Sequence, residues 1–220
     1  MSKNNMGYLG DQIGKLGTAV GFKWKGKMVY RAYQGKVRNP KTERQQLVRA
    51  RFQLLVELAR QMRAAIVKGF NYEANRRKWI PQNCFMNLNY NKVTGASPEA
   101  VSIDMSQVEV SKGSVAEVTL SPTLDTSTPG TVTVTVADAN LDDESASRND
   151  EIYAFVFCPD AGRGVLSVPV ARTVGASITV SCPTSWSGLE VHVYVFVIGG
   201  GPYTNGKASP TMYAGHAEIG

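Results

Sequence analysis

The stretch NPKTERQQLVRARFQLLVELARQMRAAIVKG, residues 39–69, separates two unlike parts of the chain. Asn39-Pro40-Lys41-Thr42 offers proline at a first helical position, and Thr42 with Gln45 has the spacing of a capping box, so a helix is predicted to start here. No Gly or Pro follows until Gly69, which supplies a stop. That gives a helix of about 27 residues, or about 40 Å at 1.5 Å rise per residue. On a 100° wheel Leu47, Leu54, Leu55, Leu58, Met62, Ala65 and Ile66 share one face, which is expected to pack on protein. Arg49, Arg60 and Arg63 gather on the other side. Arg44 and Arg51 project from the apolar side, as they would where the helix entry leaves the core or meets a carboxylate.

Before this stretch, Gly7, Gly10, Gly14, Gly17, Gly21, Gly26 and Gly35 favour turns over a long helix. Thr18 to Trp24 and Lys27 to Tyr33 are rich in Val, Phe, Trp and Tyr and are separated by Lys25-Gly26, the pattern of a β-hairpin. Tyr8 through Leu16 reads as an extended arm or short helical turns.

After it, Tyr72 to Trp79 predicts a second helix that Pro81 interrupts, and Gln82 to Lys92 a third closed by Gly95. Beyond Ser97, Val, Thr and Ser dominate. Strands are predicted at 101–110, 116–121, 131–136, 151–158, 164–171, 177–182, 189–198 and 211–219, with Gly, Pro, Asn and Asp between them. Strands without intervening helices imply an antiparallel sandwich of immunoglobulin-like layout. The expected fold is therefore α+β: a basic arm, hairpin and helical region over 1–96, then a β-sandwich domain over 97–220.

Charge follows the same division. Residues 1–92 hold 19 Lys and Arg against 4 Asp and Glu, whereas 93–220 hold 5 against 14. Such a field attracts polyanions or an acidic neighbour. In the hairpin Lys23, Lys25, Lys27, Arg31, Lys36 and Arg38 interleave with Phe22, Trp24, Tyr30 and Tyr33, a combination suited to phosphates and stacked bases. Alternation along the strand sends Phe22 and Trp24 one way and Lys23 and Lys25 the other. The rings then read as the core side of the ribbon, with base stacking as the competing reading. Arg49, Arg60, Arg63 and the run Arg76-Arg77-Lys78 extend the basic half and complete the candidate partner or nucleic-acid contacts.

Sequence motifs for chemistry are missing. Neither G-x-x-x-x-G-K-[ST] nor a strand-bound G-x-G-x-x-G occurs, and no G-x-S-x-G elbow accompanies the two histidines, His192 and His216. Neither histidine has metal-ligand spacing to another donor, and the acidic loop Asp142-Asp143-Glu144 with Asp150-Glu151 lacks the EF-hand pattern. No catalytic, cofactor or metal residue is assigned. Cys84, Cys158 and Cys182 are odd in number and unpaired in spacing, which suits buried thiols in a reducing compartment. No signal peptide or membrane span is read, so a cytoplasmic or virion location is expected.

The run Gly14-Lys15-Leu16-Gly17-Thr18-Ala19-Val20-Gly21 followed by Trp24-Lys25-Gly26, then Arg38-Asn39-Pro40-Lys41-Thr42-Glu43 with Gln46, Arg49 and Phe52, resembles an uncharacterised family of roughly 200-residue proteins in Bacteroidota and their phages. Ile103-Asp104, Val110 to Gly113, Ala171-Arg172, His192-Val193-Tyr194, Lys207-Ala208-Ser209-Pro210 and Tyr213-Ala214-Gly215 also fit. The resemblance implies a shared fold and no known enzymatic activity. The expected function is a non-enzymatic structural or assembly protein, a bacteriophage virion component, whose basic half docks onto an acidic partner or neighbouring subunit in an oligomeric assembly. The alternative is a nucleic-acid-binding protein that contacts phosphates without sequence preference. No membrane or small-molecule partner is expected.

Overall fold

A computed structural model of the chain describes residues 13–36 and 41–220. The described residues fall into two compact units, a small one ahead of Thr42 and a large one from Thr42 to Gly220.

The small unit is a three-stranded antiparallel sheet in the order β1 (Gly14–Leu16), β2 (Ala19–Trp24) and β3 (Lys27–Ala32). Lys25 and Gly26 both have positive φ, 48° and 78°, which makes the β2–β3 link a two-residue turn of type I′. The expected hairpin is present, and Gly14 to Leu16, read as an arm, adds a third strand to it. Tyr8 and the rest of that arm before Ile13 lie outside the described residues.

In the large unit Thr42 caps α1 (Glu43–Gln61) by accepting a hydrogen bond from Gln45 N at 3.4 Å. The expected single helix is divided, because α2 (Arg63–Gly69) and α3 (Asn71–Arg77) follow across Met62 and Phe70, whose ψ values open to 15° and 2°. Met62 N still donates to Leu58 O and Phe70 N to Ile66 O, so the helical path bends without stopping. Gly69 is not the stop. A Cβ there would lie 2.4 Å from Val110 O, so this glycine lets the helix touch the segment before the sandwich. The stop is Lys78, in the left-handed region at φ 57° and ψ 39°, with Trp79 N closing back to Ala74 O at 2.9 Å. Pro81 then opens α4 (Pro81–Asn89), one residue ahead of the expected start.

Short strands β4 (Val93–Thr94) and β5 (Ser102–Ile103) pair with each other. The long strand expected over 101–110 ends early, because Asp104 accepts from Ser106 N at 2.9 Å and starts a 3-10 turn. Next come β6 (Thr119–Leu120), β7 (Thr131–Asp138), β8 (Glu151–Cys158), β9 (Arg163–Leu166), β10 (Val170–Ala171), β11 (Ser177–Ser181), β12 (Glu190–Ile198) and β13 (Met212–Glu218). The strand expected over 164–171 is split into β9 and β10 at Ser167-Val168-Pro169. Pro169 has no N–H for the ladder, and Ser167 Oγ accepts from Ala154 N at 2.9 Å.

One sheet runs β10–β8–β12–β13, with β9 also on β8, and the other runs β11–β7–β6, every pairing antiparallel. Their facing sides share a core of Val132, Val134, Val136, Ile152, Ala154, Val156, Ile178, Val180, Val191, Val193, Val195 and Trp186. The opposite side of β8 and β12 offers Tyr153, Phe155, Phe157, Tyr194 and Phe196 to Leu55, Leu58, Met62, Ile66, Phe70 and Phe85 of the helices. The large unit therefore has three layers, sheet, sheet and helices, and the boundary expected at 96/97 cuts through a shared core.

Candidate functional site

The ribbon carries Lys23, Lys25, Lys27 and Arg31 of the six expected hairpin cations. Between residues 13 and 36 the sequence holds six Lys and Arg and no Asp or Glu, while 41–220 hold 16 against 17. The excess positive charge of the described residues thus resides in the ribbon. Register decides which groups share a face, since residues directly opposite in an antiparallel pair point the same way. Trp24 faces Lys27, Phe22 faces Val29, Val20 faces Arg31, and Lys15 of β1 faces Val20. One side accordingly carries Lys15, Phe22, Trp24, Lys27 and Arg31 together. Tyr33 joins it, with Lys15 Nζ 4.0 Å from its ring centre. Lys23 and Tyr30 lie on the other side.

This overturns the expectation that the rings form a core face opposed to a basic one. Trp24 is 59 % exposed, Tyr33 47 % and Phe22 36 %, and cations stand over them: Arg31 lies 5.8 Å from the Phe22 ring and Lys25 Nζ 5.0 Å from the Trp24 ring. The physical reason is the two-residue turn, which fixes Trp24 against Lys27 and so brings the cations of β3 to the ring side. Lys36 lies past the end of β3 and is exposed, and Arg38 lies outside the described residues. Sequence reasoning did not include Lys15 in this set. Its signal was the Gly17-Thr18 turn, which pairs Leu16 with Ala19 and aligns β1 with β2.

The helical cations are differently placed. Arg49, Arg60 and Arg63 are exposed, as expected of the outer side. Arg60 Nη2 lies 2.7 Å from Glu57 Oε1. Arg76 and Arg77 both clasp Glu73, at 2.9 and 2.5 Å, and these bonds, Arg76's above all, hold the Glu73 carboxyl below its ordinary range. Lys78 forms the helix stop. Arg51 does not find a carboxylate; its Nη2 donates to Gly95 O at 3.0 Å. Local acids thus balance part of the helical charge, whereas no acid is present in the ribbon.

Elsewhere, a polar cluster lies at one edge of the five-stranded sheet. His192 Nδ1 and Tyr213 OH share a hydrogen bond at 2.8 Å, and His216 stands directly across from His192, with ring centres 6.1 Å apart. Burial lowers the His192 pKa, opposed by the carboxylates of Glu190 and Asp104 and assisted by His216. Among the described residues no group of three or more His, Cys, Asp or Glu is placed to hold a metal ion. A groove of about 450 Å³ lined by Phe52, Trp79, Asn83, Met86, Asn87, Tyr90 and Asn91 opens on the helical surface. Cys84, Cys158 and Cys182 are buried free thiols, and no described helix is long and apolar enough to cross a membrane.

A model of a family of unknown function, DUF6266, matches residues 11–207, and the chain belongs to that family. It is an uncharacterised family of the kind the quoted motifs resembled. No curated protein and no solved structure matches the chain significantly.

Proposed function

We propose that this is a non-enzymatic structural or assembly protein, a component of a bacteriophage particle, that docks through its basic N-terminal ribbon onto an acidic partner: a neighbouring subunit or packaged nucleic acid. The observation that carries the reading is the ribbon itself. Residues 13–36 hold six cations and no acid, four of the cations on the strands themselves, and Phe22, Trp24, Tyr30 and Tyr33 stand exposed beside them. Three strands gain independent stability from a hydrophobic face or from packing on a helix, and on this ribbon the rings share their face with cations. An element built this way is completed by what it binds, and charge selects a negative partner. The body of the chain suits a scaffold. Its sandwich is read as immunoglobulin-like because β6–β7–β11 face β10–β8–β12–β13 with every neighbouring pair antiparallel.

Size-exclusion chromatography with light scattering, in low and high salt, tests the assembly reading on the full chain and on a variant with Lys23, Lys25, Lys27 and Arg31 changed to Gln. Salt-sensitive association that the variant loses supports it. A monodisperse monomer at high concentration in low salt, with no partner recovered from host or particle, sinks it. Mass spectrometry of purified particles addresses the virion setting, which fails if peptides of this chain are absent from them.

A further inference from the structure

The mixed face of the ribbon distinguishes between the two kinds of acidic partner. A carboxylate-rich protein surface is satisfied by cations alone and gives flat rings nothing to stack on. Single-stranded nucleic acid presents both a phosphate and a π-face at each nucleotide. On the ribbon the two complements are paired residue by residue. Lys15 stands 4.0 Å from the Tyr33 ring, Arg31 5.8 Å from the Phe22 ring and Lys25 5.0 Å from the Trp24 ring. Phe22 and Trp24 are two residues apart on one strand, so their attachment points are about 7 Å apart. Lys27, directly across from Trp24, adds a further cation on the same side.

We propose that this face, Phe22, Trp24 and Tyr33 with Lys15, Lys27 and Arg31, binds single-stranded nucleic acid without sequence preference, the rings stacking bases and the cations holding the intervening phosphates. The proposal rests on the reading of the ribbon as the docking element and names its partner. Single strands are favoured over duplex because a duplex keeps its bases stacked on one another and offers the rings no face. Little sequence preference follows because every base has a π-face and the ribbon face carries no amide or carboxylate side chain to read base edges.

The test measures fluorescence anisotropy of a short labelled oligothymidine, a duplex of equal length and labelled polyglutamate with the full chain across a salt series. One variant combines Phe22→Ala, Trp24→Ala and Tyr33→Ala, a second puts Leu at the same positions to keep an apolar strand without flat rings, and a third carries Lys15→Gln, Lys27→Gln and Arg31→Gln. The expected result is tightest binding of the oligothymidine. Both ring variants should weaken it by about tenfold or more while leaving polyglutamate unchanged. The charge variant should weaken both ligands and flatten the salt slope by about 0.7 per lost phosphate contact. Equal affinity for the duplex overturns the single-strand assignment and leaves phosphate contact alone, whereas equal affinity for polyglutamate, or ring variants that bind oligothymidine like the parent, overturns base stacking and leaves an acidic protein as the partner. If none of the three ligands binds and the charge variant self-associates like the parent, the docking reading itself falls.

Discussion

Arg172 and Asp150 are both fully withdrawn from water, with Nη1 of the guanidinium 3.1 Å from Oδ2 of the carboxylate. Four backbone carbonyls complete the arginine: Nε donates to Ala139 O at 2.6 Å, Nη1 to Ala116 O at 2.9 Å, and Nη2 to Glu117 O at 3.1 Å and to Asn140 O at 3.5 Å. Asp150 in turn accepts from Ser147 N and Gly200 N, each at 2.9 Å. Five separate segments of the sandwich thus converge on one ion pair.

Removing the cation leaves a buried carboxylate and several carbonyls without donors. Arg172→Met is expected to cost roughly 3–5 kcal/mol, read as a lower urea midpoint. Adding Asp150→Asn should recover part of the loss, because it removes the orphaned charge. Arg172→Met with a parental midpoint would show that the pair contributes nothing net.

Lys78 occupies a backbone region in which an L side chain costs about 1–2 kcal/mol. Lys78→Gly relieves that strain but loosens the unfolded chain, so a net gain of about 0.5–1 kcal/mol is expected. Gly69→Ala should act in the opposite direction, since its Cβ would meet backbone at 2.4 Å. The two changes, nine residues apart, therefore shift the thermal midpoint in opposite directions.

His192 should make stability fall in mild acid. Burial, the largest influence, sets its folded pKa below the ordinary value of 6.5, against Glu190 and Asp104 and with His216. Above pH 6.5 neither folded nor unfolded state is protonated there and no difference arises. Below it, the unfolded chain takes up the proton first, so stability is lost as the pH drops toward the folded pKa. Glu73 and Asp104, whose pKa values are also lowered, act at lower pH, where carboxylates titrate. His192→Gln should flatten the urea midpoint between pH 7.5 and pH 5. An unchanged slope excludes His192 as its source.

The thiols should be silent in the native state. Burial pushes Cys182 up to about 11, with Cys158 nearby adding to the effect, and burial also raises Cys84. Ellman's reagent at pH 8 should therefore label none of the three thiols until denaturant is added. Rapid labelling of native protein would mean that one of them is reached by local opening.

What could be read from the sequence was governed by neighbours in the chain. Thr42 as a cap and Lys25-Gly26 as a hairpin turn each rest on contacts within a few residues, and both are present; Pro81, read only as the interruption of a second helix, also opens the next one. The roles of Gly69 and Lys78 were not legible, because Gly69 answers to Val110 and Ser111, some forty residues away. Arg172 gave no local hint of burial, since its carbonyl partners come from distant loops. The cations of the candidate site were visible in composition, but their meeting with Phe22 and Trp24 depended on register, which the two-residue turn determines. Another signal was present in Ile152-Tyr153-Ala154-Phe155-Val156-Phe157: small aliphatic residues alternate with rings. Such a strand belongs to two differently filled cores, one of them supplied by the helices.

That alternation has a consequence for how the large unit comes apart. In β8 and β12 each peptide step passes from the valine-filled sandwich core to the ring-filled helical core. A slip of one residue would exchange every occupant, forcing rings into the sandwich and leaving gaps beneath the helices. Nor can the helices detach alone without exposing Tyr153, Phe155, Phe157, Tyr194 and Phe196 to water together, a loss of about 2 kcal/mol for each buried ring. Residues 42–220 are therefore bound into a single melting transition, with β8 and β12 as the common wall whose failure releases both layers at once.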